Sequence, residues 1–214
     1  YSKAIELGER ISPNQSFLAM LHGRRGLVFN RLGEFDHALS DFNLALQMAR
    51  SLKDTLLEWT SLIDLGRLWT SRNYQQTREY FEKALQIARL MDDPLMLASS
   101  MNWMGNWYIN MELPQEATPY HLEALNITER IDNKQELANS LDLLGILKLL
   151  EGKQIASNSY YNRAIALQRE MKNHVRLVTS LTGRAGPVMN TVFLANVSMC
   201  AVDQANGDLL EALH

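Results

Sequence analysis

The sequence predicts an all-α fold of repeated antiparallel helix hairpins, and the first observation behind this prediction is an internal repeat. Five similar segments recur along the 214 residues, and each carries an alanine at the same place. These alanines, spaced 41, 39, 40 and 40 residues apart, are Ala4, Ala45, Ala84, Ala124 and Ala164. A period of about 20 to 50 residues indicates an array in which each repeat buries its apolar face against its neighbours.

A series of glycines and the spacing of apolar residues are the second and third observations. Four glycines lie 18 or 19 residues before the alanine that follows them, namely Gly26, Gly66, Gly105 and Gly145. Apolar residues such as Leu62, Leu65 and Trp69 recur at a spacing near 3.6, and the alternation typical of strands is absent. Each repeat therefore contains helices, with small residues where two helices cross closely.

The elements follow in order, with two helices to each repeat. We expect a partial repeat at 1–13 and then repeats at about 14–53, 54–92, 93–132 and 133–173. Gly33 and Gly152 suit the left-handed residue that ends many helices, and Pro94 and Pro114 suit a first helical turn. Residues 174–214 are expected to form a divergent or capping helical unit of the same array.

Residues at fixed places of each repeat form a pattern. In repeat two they are Leu62, Leu65, Gly66, Trp69, Thr77, Phe81 and Ala84, and in repeat three Met101, Met104, Gly105, Tyr108, Ala117, His121 and Ala124. In repeat one they are His22, Arg25, Gly26, Phe29, Ala38, Phe42 and Ala45, and in repeat four Leu141, Leu144, Gly145, Lys148, Ser157, Tyr161 and Ala164. This pattern resembles the tetratricopeptide repeat, although His22, Arg25 and Lys148 are polar where that family prefers apolar residues.

The resemblance implies a right-handed superhelical solenoid and a non-catalytic scaffold that binds a protein or peptide. The period of about 40 residues departs from the 34 that are usual in the family, so each helix should be about three residues longer. This long form is similar to repeats in the helical sensor arms of bacterial signal-transduction ATPases and regulators. We therefore expect the chain to be the sensor or adaptor segment of a larger regulatory protein.

The composition argues against several classes of function. Twenty-one Lys and Arg against 24 Asp and Glu give a net charge of -3, which does not suit a surface that neutralises nucleic-acid phosphates. The sequence contains no uninterrupted run of about 18 apolar residues, so it predicts no membrane span. Five scattered histidines and the single Cys200 offer no metal site, and no phosphate-binding loop or catalytic constellation is recognisable. We expect no enzyme activity, cofactor or metal, and a cytoplasmic location because no export signal is present.

In the family that this sequence resembles, the first helix of each repeat lines the concave groove, which implies a set of candidate binding residues. They are Asn30, Arg67, Asn102, Asn106, Asn110, Asn139 and Asp142. Asn102 and Asn106 lie one turn apart, and each offers a donor and an acceptor to an extended peptide backbone. Arg67 suits a carboxylate bound by two hydrogen bonds. We expect Asn102 to be exposed in the groove, and a small molecule is an alternative ligand.

Residues 174–214 differ in composition from the rest of the chain. Charged residues make up about 12% of this segment, against about 23% of residues 1–173. Gly186-Pro187 is expected to interrupt its first helix, and the apolar run after Pro187 is expected to be buried or to contact a partner. The alternative function is therefore structural: a homodimer held through residues 187–214, with Cys200 as an inert, buried packing residue.

Overall fold

The computed structural model describes residues 1–11 and 15–194 of the chain. Those residues form ten α-helices, and none of them lies in a β-strand. The predicted all-α class is therefore confirmed over this part of the sequence. The helices are α1 (Ser2–Ile11), α2 (Gln15–Leu32), α3 (Phe35–Leu52), α4 (Thr55–Trp69), α5 (Tyr74–Met91), α6 (Pro94–Asn110), α7 (Pro114–Arg130), α8 (Lys134–Leu150), α9 (Gln154–Glu170) and α10 (His174–Leu194).

The chain divides into two compact units, an N-terminal unit (Tyr1–Trp107) and a C-terminal unit (Tyr108–His214). In the N-terminal unit α2 packs against α3, and α4 packs against α3, α5 and α2. In the C-terminal unit α8 packs against α7 and α9, and α10 packs against α9 and α8. Only a few residues separate each helix from the next, and successive helices joined by short turns form antiparallel hairpins. Helix α10 contacts α9 and α8 in the same way as α4 contacts α3 and α2. It therefore packs as the first helix of a further repeat.

Left-handed residues and side-chain caps separate one repeat from the next. In the pairs Lys53-Asp54, Asp92-Asp93 and Lys172-Asn173, the first residue has a positive φ of 52° to 56°. The second residue of each pair accepts a hydrogen bond from the backbone N–H three positions further on. This bond satisfies a donor that would otherwise be unpaired at the start of the helix. Gly33 and Gly152, with φ of 79° and 74°, follow α2 and α8 in the predicted left-handed conformation.

Close packing of an aromatic ring on a glycine joins the two helices of a hairpin. A β-carbon at Gly26 in α2 would lie less than 3.0 Å from the ring of Phe42 in α3, and Gly66 in α4 stands in the same relation to Phe81 in α5. The alanines of the repeat register are also buried, namely Ala45, Ala84, Ala124 and Ala164. The predicted role of small residues at the helix crossings is confirmed, because larger side chains would keep the backbones apart.

His22 and Arg25, the two polar residues at places of repeat one where the family prefers apolar ones, both contact a buried carboxylate. His22 and Arg25 both form hydrogen bonds with Asp41 of α3, at 2.7 to 2.9 Å. Burial raises the pKa of Asp41, but the hydrogen bonds from Arg25 and His22 outweigh it and hold the pKa below its ordinary value. In repeat four Lys148 is paired in the same way, with Glu151 at 3.0 Å. Pairing removes most of the cost of placing these charges between helices.

The course of α10 differs from the sequence prediction. The helix continues through Gly186-Pro187 to its end, so the expected interruption there is wrong. A proline inside a helix removes one backbone hydrogen bond, which lowers the stability of the helix without necessarily ending it. The packing role expected of Cys200 and the homodimer expected through residues 187–214 concern side chains outside the described part of the chain.

Candidate binding cavity

A cavity of about 680 Å³ lies among α2, α4 and α6 of the N-terminal unit. Its volume falls within the range of about 300 to 1,000 Å³ that is typical of small-molecule and cofactor sites. Most of its lining is apolar, from Phe17, Met20, Leu27, Leu56, Leu57, Trp59, Ile63 and Trp103. The three helices are the first helices of repeats one, two and three, which is where the family resemblance places a groove.

One end of the cavity is charged. Arg67 Nη1 donates a hydrogen bond of 3.2 Å to Oδ1 of Asp64, which lies one turn earlier on α4. The guanidinium carbon of Arg67 also lies 5.2 Å from the centre of the Trp103 ring, within the range of a cation–π interaction. Burial raises the pKa of Asp64 to about 6, although Arg67 and Arg24 act in the opposite direction. Asp64 therefore holds its proton to a higher pH than an exposed aspartate does.

Trp103 connects the charged end to the hairpin core. Its ring stacks on Phe81 of α5, with a centroid separation of 5.6 Å and an interplanar angle of 30°. Phe81 in turn is the ring that packs on Gly66. Because the hairpin contact fixes Phe81, the stacked Trp103 and the guanidinium of Arg67 above it are held in a defined position.

Hydrogen bonds also fix the polar groups of the lining near Trp59. The indole N–H of Trp59 donates to Oγ of Ser100 at 2.8 Å, which ties α4 to α6. Asp54 uses one carboxylate oxygen to cap α4, and the other accepts from Oγ of Ser16 at 3.3 Å. Gly23 lines the cavity between these helices, and a β-carbon there would meet no other atom within 4 Å. The cavity thus has room for a ligand side chain above Gly23.

Of the predicted site residues in the N-terminal unit, only Arg67 lines the cavity. Asn30 and Asn106 are half-buried and stand outside its lining. Asn102 is only 2% exposed, so the expectation that it is an exposed groove residue is wrong. Helix α6 is buried around most of its circumference, including Ser100 and Met104 on either side of Asn102. A role of these asparagines in binding stays a prediction.

The remaining predicted residues lie in the C-terminal unit. Asn110 is exposed at the end of α6, and Asn139 is half-buried and donates a hydrogen bond of 3.3 Å to Glu136. Asp142 is buried and accepts a hydrogen bond of 2.9 Å from Oγ of Ser180, which joins α8 to α10. Burial raises the pKa of Asp142 to about 6 despite this bond. Asp142 thus contributes to helix packing, and its predicted part in ligand binding is untested.

Sequence reasoning missed three residues at the charged end of the cavity. Arg24, Asp64 and Trp103 each lie two places before the conserved-register glycine of their repeat, at Gly26, Gly66 and Gly105. None of these three residues is among the candidate binding residues that the family resemblance implies. The repeat alignment itself contained the signal, because one register in three successive first helices supplies one end of the cavity.

Among the residues that the structure describes, no group of three or more His, Cys, Asp or Glu side chains could hold a metal ion. None of the helices in the same ranges is long and apolar enough to cross a membrane.

The sequence matches a known family over most of its length. The profile of the tetratricopeptide repeat family matches residues 16–90 and 96–170, which together make up more than half of the chain. The chain therefore belongs to the tetratricopeptide repeat family, and the resemblance drawn from the repeat pattern is confirmed. No curated protein matches the sequence.

Solved structures share the fold at low sequence identity. BtubC (BKLC) from P. vanneervenii is 20% identical, with a TM-score of 0.72 over 99% of this chain and 84% of that protein. A Rap protein complexed with Competence and Sporulation Factor is 13% identical, with a TM-score of 0.78 over 99% of this chain and 58% of that one. A Signal Transduction ATPase with Numerous Domains that has a tetratricopeptide repeat sensor, from Pyrococcus horikoshii, is 14% identical, with a TM-score of 0.70.

These similarities show the fold and leave the function open. The chain spans only 58% of the Rap protein and 35% of the Pyrococcus ATPase. Both are longer proteins in which helices like these occupy one part. The repeat fold of the family is generally a scaffold, and the matched profile belongs to no catalytic family.

Proposed function

We propose that this chain is a non-catalytic scaffold that holds a peptide segment of a partner protein in the cavity among α2, α4 and α6. The observation that carries the proposal is the cavity itself, which places an apolar lining beside a charged end. Exposed apolar side chains such as Phe17 and Met20 face this space, and apolar surface in a concave site gains free energy when a ligand covers it.

A peptide fits the site better than the other ligands considered. Side chains at alternating positions of an extended peptide can enter the apolar part, while its backbone meets polar groups such as Thr60. Gly23 is the one glycine among the lining residues, so the lining offers no glycine-rich loop of the kind that often binds the phosphates of a nucleotide. A small apolar effector would also fit the volume of the cavity.

We further propose that the chain is the sensor or adaptor segment of a larger regulatory protein. A Rap protein bound to Competence and Sporulation Factor and a signal-transduction ATPase with a tetratricopeptide repeat sensor share its fold, which supports this role. Peptide occupancy of the cavity is then the signal that the segment would report. The proposal places no catalytic step in this chain.

Substitution of Gly23 tests the proposed site. Gly23→Trp should place an indole ring in the cavity, because position 23 lines the cavity and a β-carbon there meets no atom within 4 Å. Gly23→Ala is the matched control, since it changes the same position and leaves the cavity open. We would select peptides from a random heptapeptide phage library on the 214-residue chain and measure their affinity for all three proteins by isothermal titration calorimetry.

The expected result is that Gly23→Trp weakens the selected peptides at least tenfold, whereas Gly23→Ala binds them as the parent does. Equal affinity for all three proteins would place the peptides elsewhere and overturn the proposal. Failure to select any peptide would also overturn it. A thermal shift of the parent by small apolar compounds, absent in Gly23→Trp, would then assign the cavity to a small molecule.

A further inference from the structure

We propose that Asp142 of α8 and Ser180 of α10 form a proton-sensitive joint: the carboxyl group holds α10 on α8 while it carries its proton, and α10 loosens when the carboxyl group ionises. The joint lies in the C-terminal unit. The proposal therefore goes beyond the function proposed above and does not depend on the cavity.

A buried serine occupies the same place in four first helices, five positions before the glycine of the repeat register or before Ala185, which stands at that place in α10. These serines are Ser61, Ser100, Ser140 and Ser180. Ser61, Ser100 and Ser180 each donate to the backbone carbonyl four residues earlier, at 2.8, 2.8 and 3.2 Å. Because a hydroxyl group has a single hydrogen, a serine that makes this bond is left as an acceptor towards the neighbouring helix.

The N-terminal unit shows what such a serine requires from the preceding first helix. The indole N–H of Trp59 in α4 donates to Oγ of Ser100 at 2.8 Å, and Ser100 donates its own hydrogen to the carbonyl oxygen of Met96 at 2.8 Å. An indole nitrogen donates and does not accept. Both bonds therefore form at the same time, and neither depends on pH.

Asp142 is the group that meets the serine in the C-terminal unit. Its Oδ2 lies 2.9 Å from Oγ of Ser180, which also lies 3.2 Å from the carbonyl oxygen of Arg176. A neutral carboxyl group donates to Ser180 and leaves the serine hydrogen for Arg176, so that both bonds form. An ionised carboxylate only accepts, so the single hydrogen of Ser180 then serves one of two acceptors and the other loses its bond.

The surroundings of Asp142 also favour its neutral form. The residue is only 8% exposed, and its Oδ1 has no hydrogen-bond partner among the described residues. A buried oxygen without a partner costs far more free energy in a charged carboxylate than in a neutral acid. Burial accordingly raises the pKa of Asp142 to about 6, although the hydrogen bond with Ser180 and the charge of Arg176 act in the opposite direction.

Few ionisable groups face Asp142 from the helices around it. Arg176 of α10 acts on it, whereas no charged side chain of α7, α8 or α9 does so among the described residues. The phenol of Tyr161 faces it from α9. Burial raises the pKa of Tyr161 to about 12, with the charge of Asp142 acting in the same direction, so this phenol stays neutral at physiological pH. Asp142 is thus the group that titrates at this contact.

The position of α10 determines whether Tyr161 is covered. A β-carbon at Gly145 in α8 would lie 3.0 Å from the Tyr161 ring, and a β-carbon at Gly183 in α10 would lie 2.7 Å from it. The ring therefore packs between the two helices, and Tyr161 is only 2% exposed. Ionisation of Asp142 weakens the cover that α10 gives to the hairpin of α8 and α9, and acidification strengthens it.

Hydrogen exchange followed by mass spectrometry tests the joint on the full chain. Peptides from α10 and α8 are measured at pH 4.5, 5.5, 6.5 and 7.5, and each exchange rate is divided by the intrinsic rate at that pH to give an opening constant. The variants are Asp142→Asn, whose amide can donate to Ser180 at every pH, and Asp132→Asn, the same substitution at an exposed aspartate. Carbon-13 NMR of the aspartate carboxyl groups, with Asp142 assigned from its variant, gives the pH at which Asp142 ionises.

In the parent and in Asp132→Asn, the opening constant of α10 should rise at least tenfold from pH 4.5 to 7.5. A pKa near 4 in the open form and about 6 in the docked form allows a rise of up to about 100-fold. At pH 7.5 α10 should open at least tenfold more readily than α8. Asp142→Asn should hold the opening constant of α10 near the parent's value at pH 4.5 throughout.

Each of four results would overturn the proposal. An opening constant of α10 that does not change with pH would remove the switch, and a pH dependence that persists in Asp142→Asn would assign it to another group. Equal opening constants for α10 and α8 would mean that α10 opens only when the unit unfolds. Ionisation of Asp142 below about pH 4.5 would mean that the carboxyl group is charged while α10 is docked.

Discussion

Arg25 donates two parallel hydrogen bonds of 2.7 Å to Asp41, from Nε to Oδ2 and from Nη2 to Oδ1. This paired geometry joins α2 to α3 within a region where Asp41 is only 3% exposed. Such a pair is strong because the planar guanidinium matches the carboxylate at both oxygens. It also makes the first repeat sensitive to loss of either partner, since the remaining charge would stay buried.

Removal of Arg25 should therefore destabilise the chain. Arg25→Met keeps the apolar stem and leaves Asp41 with His22, and we expect the free energy of unfolding to fall by about 2 to 4 kcal/mol at pH 7. Hydrogen bonds to Arg25 and His22 outweigh burial and lower the pKa of Asp41, so this difference should shrink as the pH falls below about 4. Urea unfolding followed by circular dichroism measures it, and a change below about 0.5 kcal/mol would contradict the prediction.

The contact between Gly66 and Phe81 gives a second prediction. Gly66→Ala adds a β-carbon that collides with the ring of Phe81, and it should destabilise the chain by about 1 to 3 kcal/mol. Gly23→Ala is the control, because it adds the same group in open space and should gain up to about 1 kcal/mol from helix propensity. Thermal unfolding of the two variants should move in opposite directions, and equal shifts would refute the packing argument.

His121 gives a third prediction, which concerns pH. Burial lowers the pKa of His121 to about 4, whereas an unfolded histidine has a pKa near 6.5. The unfolded chain therefore binds the proton first, and stability falls as the pH drops from about 6.5 to 4. Between pH 7.5 and 4.5 this single group should remove about 2 to 3 kcal/mol.

His121→Phe, which restores the aromatic residue of the other repeats, isolates that effect. The variant keeps every other titrating group, so the difference in unfolding free energy between variant and parent should grow in favour of the variant as the pH falls. Urea unfolding at pH 7.5 and 4.5 gives the difference. A constant difference across these two pH values would mean that His121 does not contribute.

Asp142 gives a fourth prediction, in which stability changes with pH in the opposite direction to that expected for His121. Burial raises its pKa to about 6, above the value near 4 of the unfolded chain, so the folded state binds the proton first and stability falls as the pH rises from about 4 to 6. Asp142→Asn retains an acceptor for Ser180 and should be more stable than the parent at pH 7.5, by up to about 2 kcal/mol. That advantage should vanish near pH 4, and its persistence there would disprove the prediction.

The sequence predicts the fold well because the packing of the hairpins depends on a few residues that recur at one spacing. Gly66 and Phe81 lie in the same repeat, and the corresponding glycine and ring also meet at Gly26 and Phe42 and at Gly145 and Tyr161. The turns are also local, since Lys53-Asp54 needs only a left-handed residue and a capping side chain. Continuity of α10 through Pro187 was not predicted, because one proline lowers helix stability without determining where the helix ends.

The site was harder to predict, since it depends on contacts between residues about 40 positions apart. The family resemblance places Arg67 in the groove, and Arg67 lines the cavity. The burial of Asn102, in contrast, depends on how neighbouring helices cover α6. Likewise, the meeting of Arg24, Asp64 and Trp103 requires three helices side by side. A propensity or a local pattern contains no information on which of two adjacent registers will face the cavity.

The register two places before the glycine has a consequence for protein engineering. Gly26 and Gly66 pack against the rings of Phe42 and Phe81 in the first two hairpins, whereas Arg24 and Asp64, two places earlier, line the cavity. The residues that pack the hairpin and the residues that line the cavity thus occupy separate positions of one helical turn. We expect a substitution at Arg24, which is exposed, to change the charge of the cavity without altering the contact between Gly26 and Phe42.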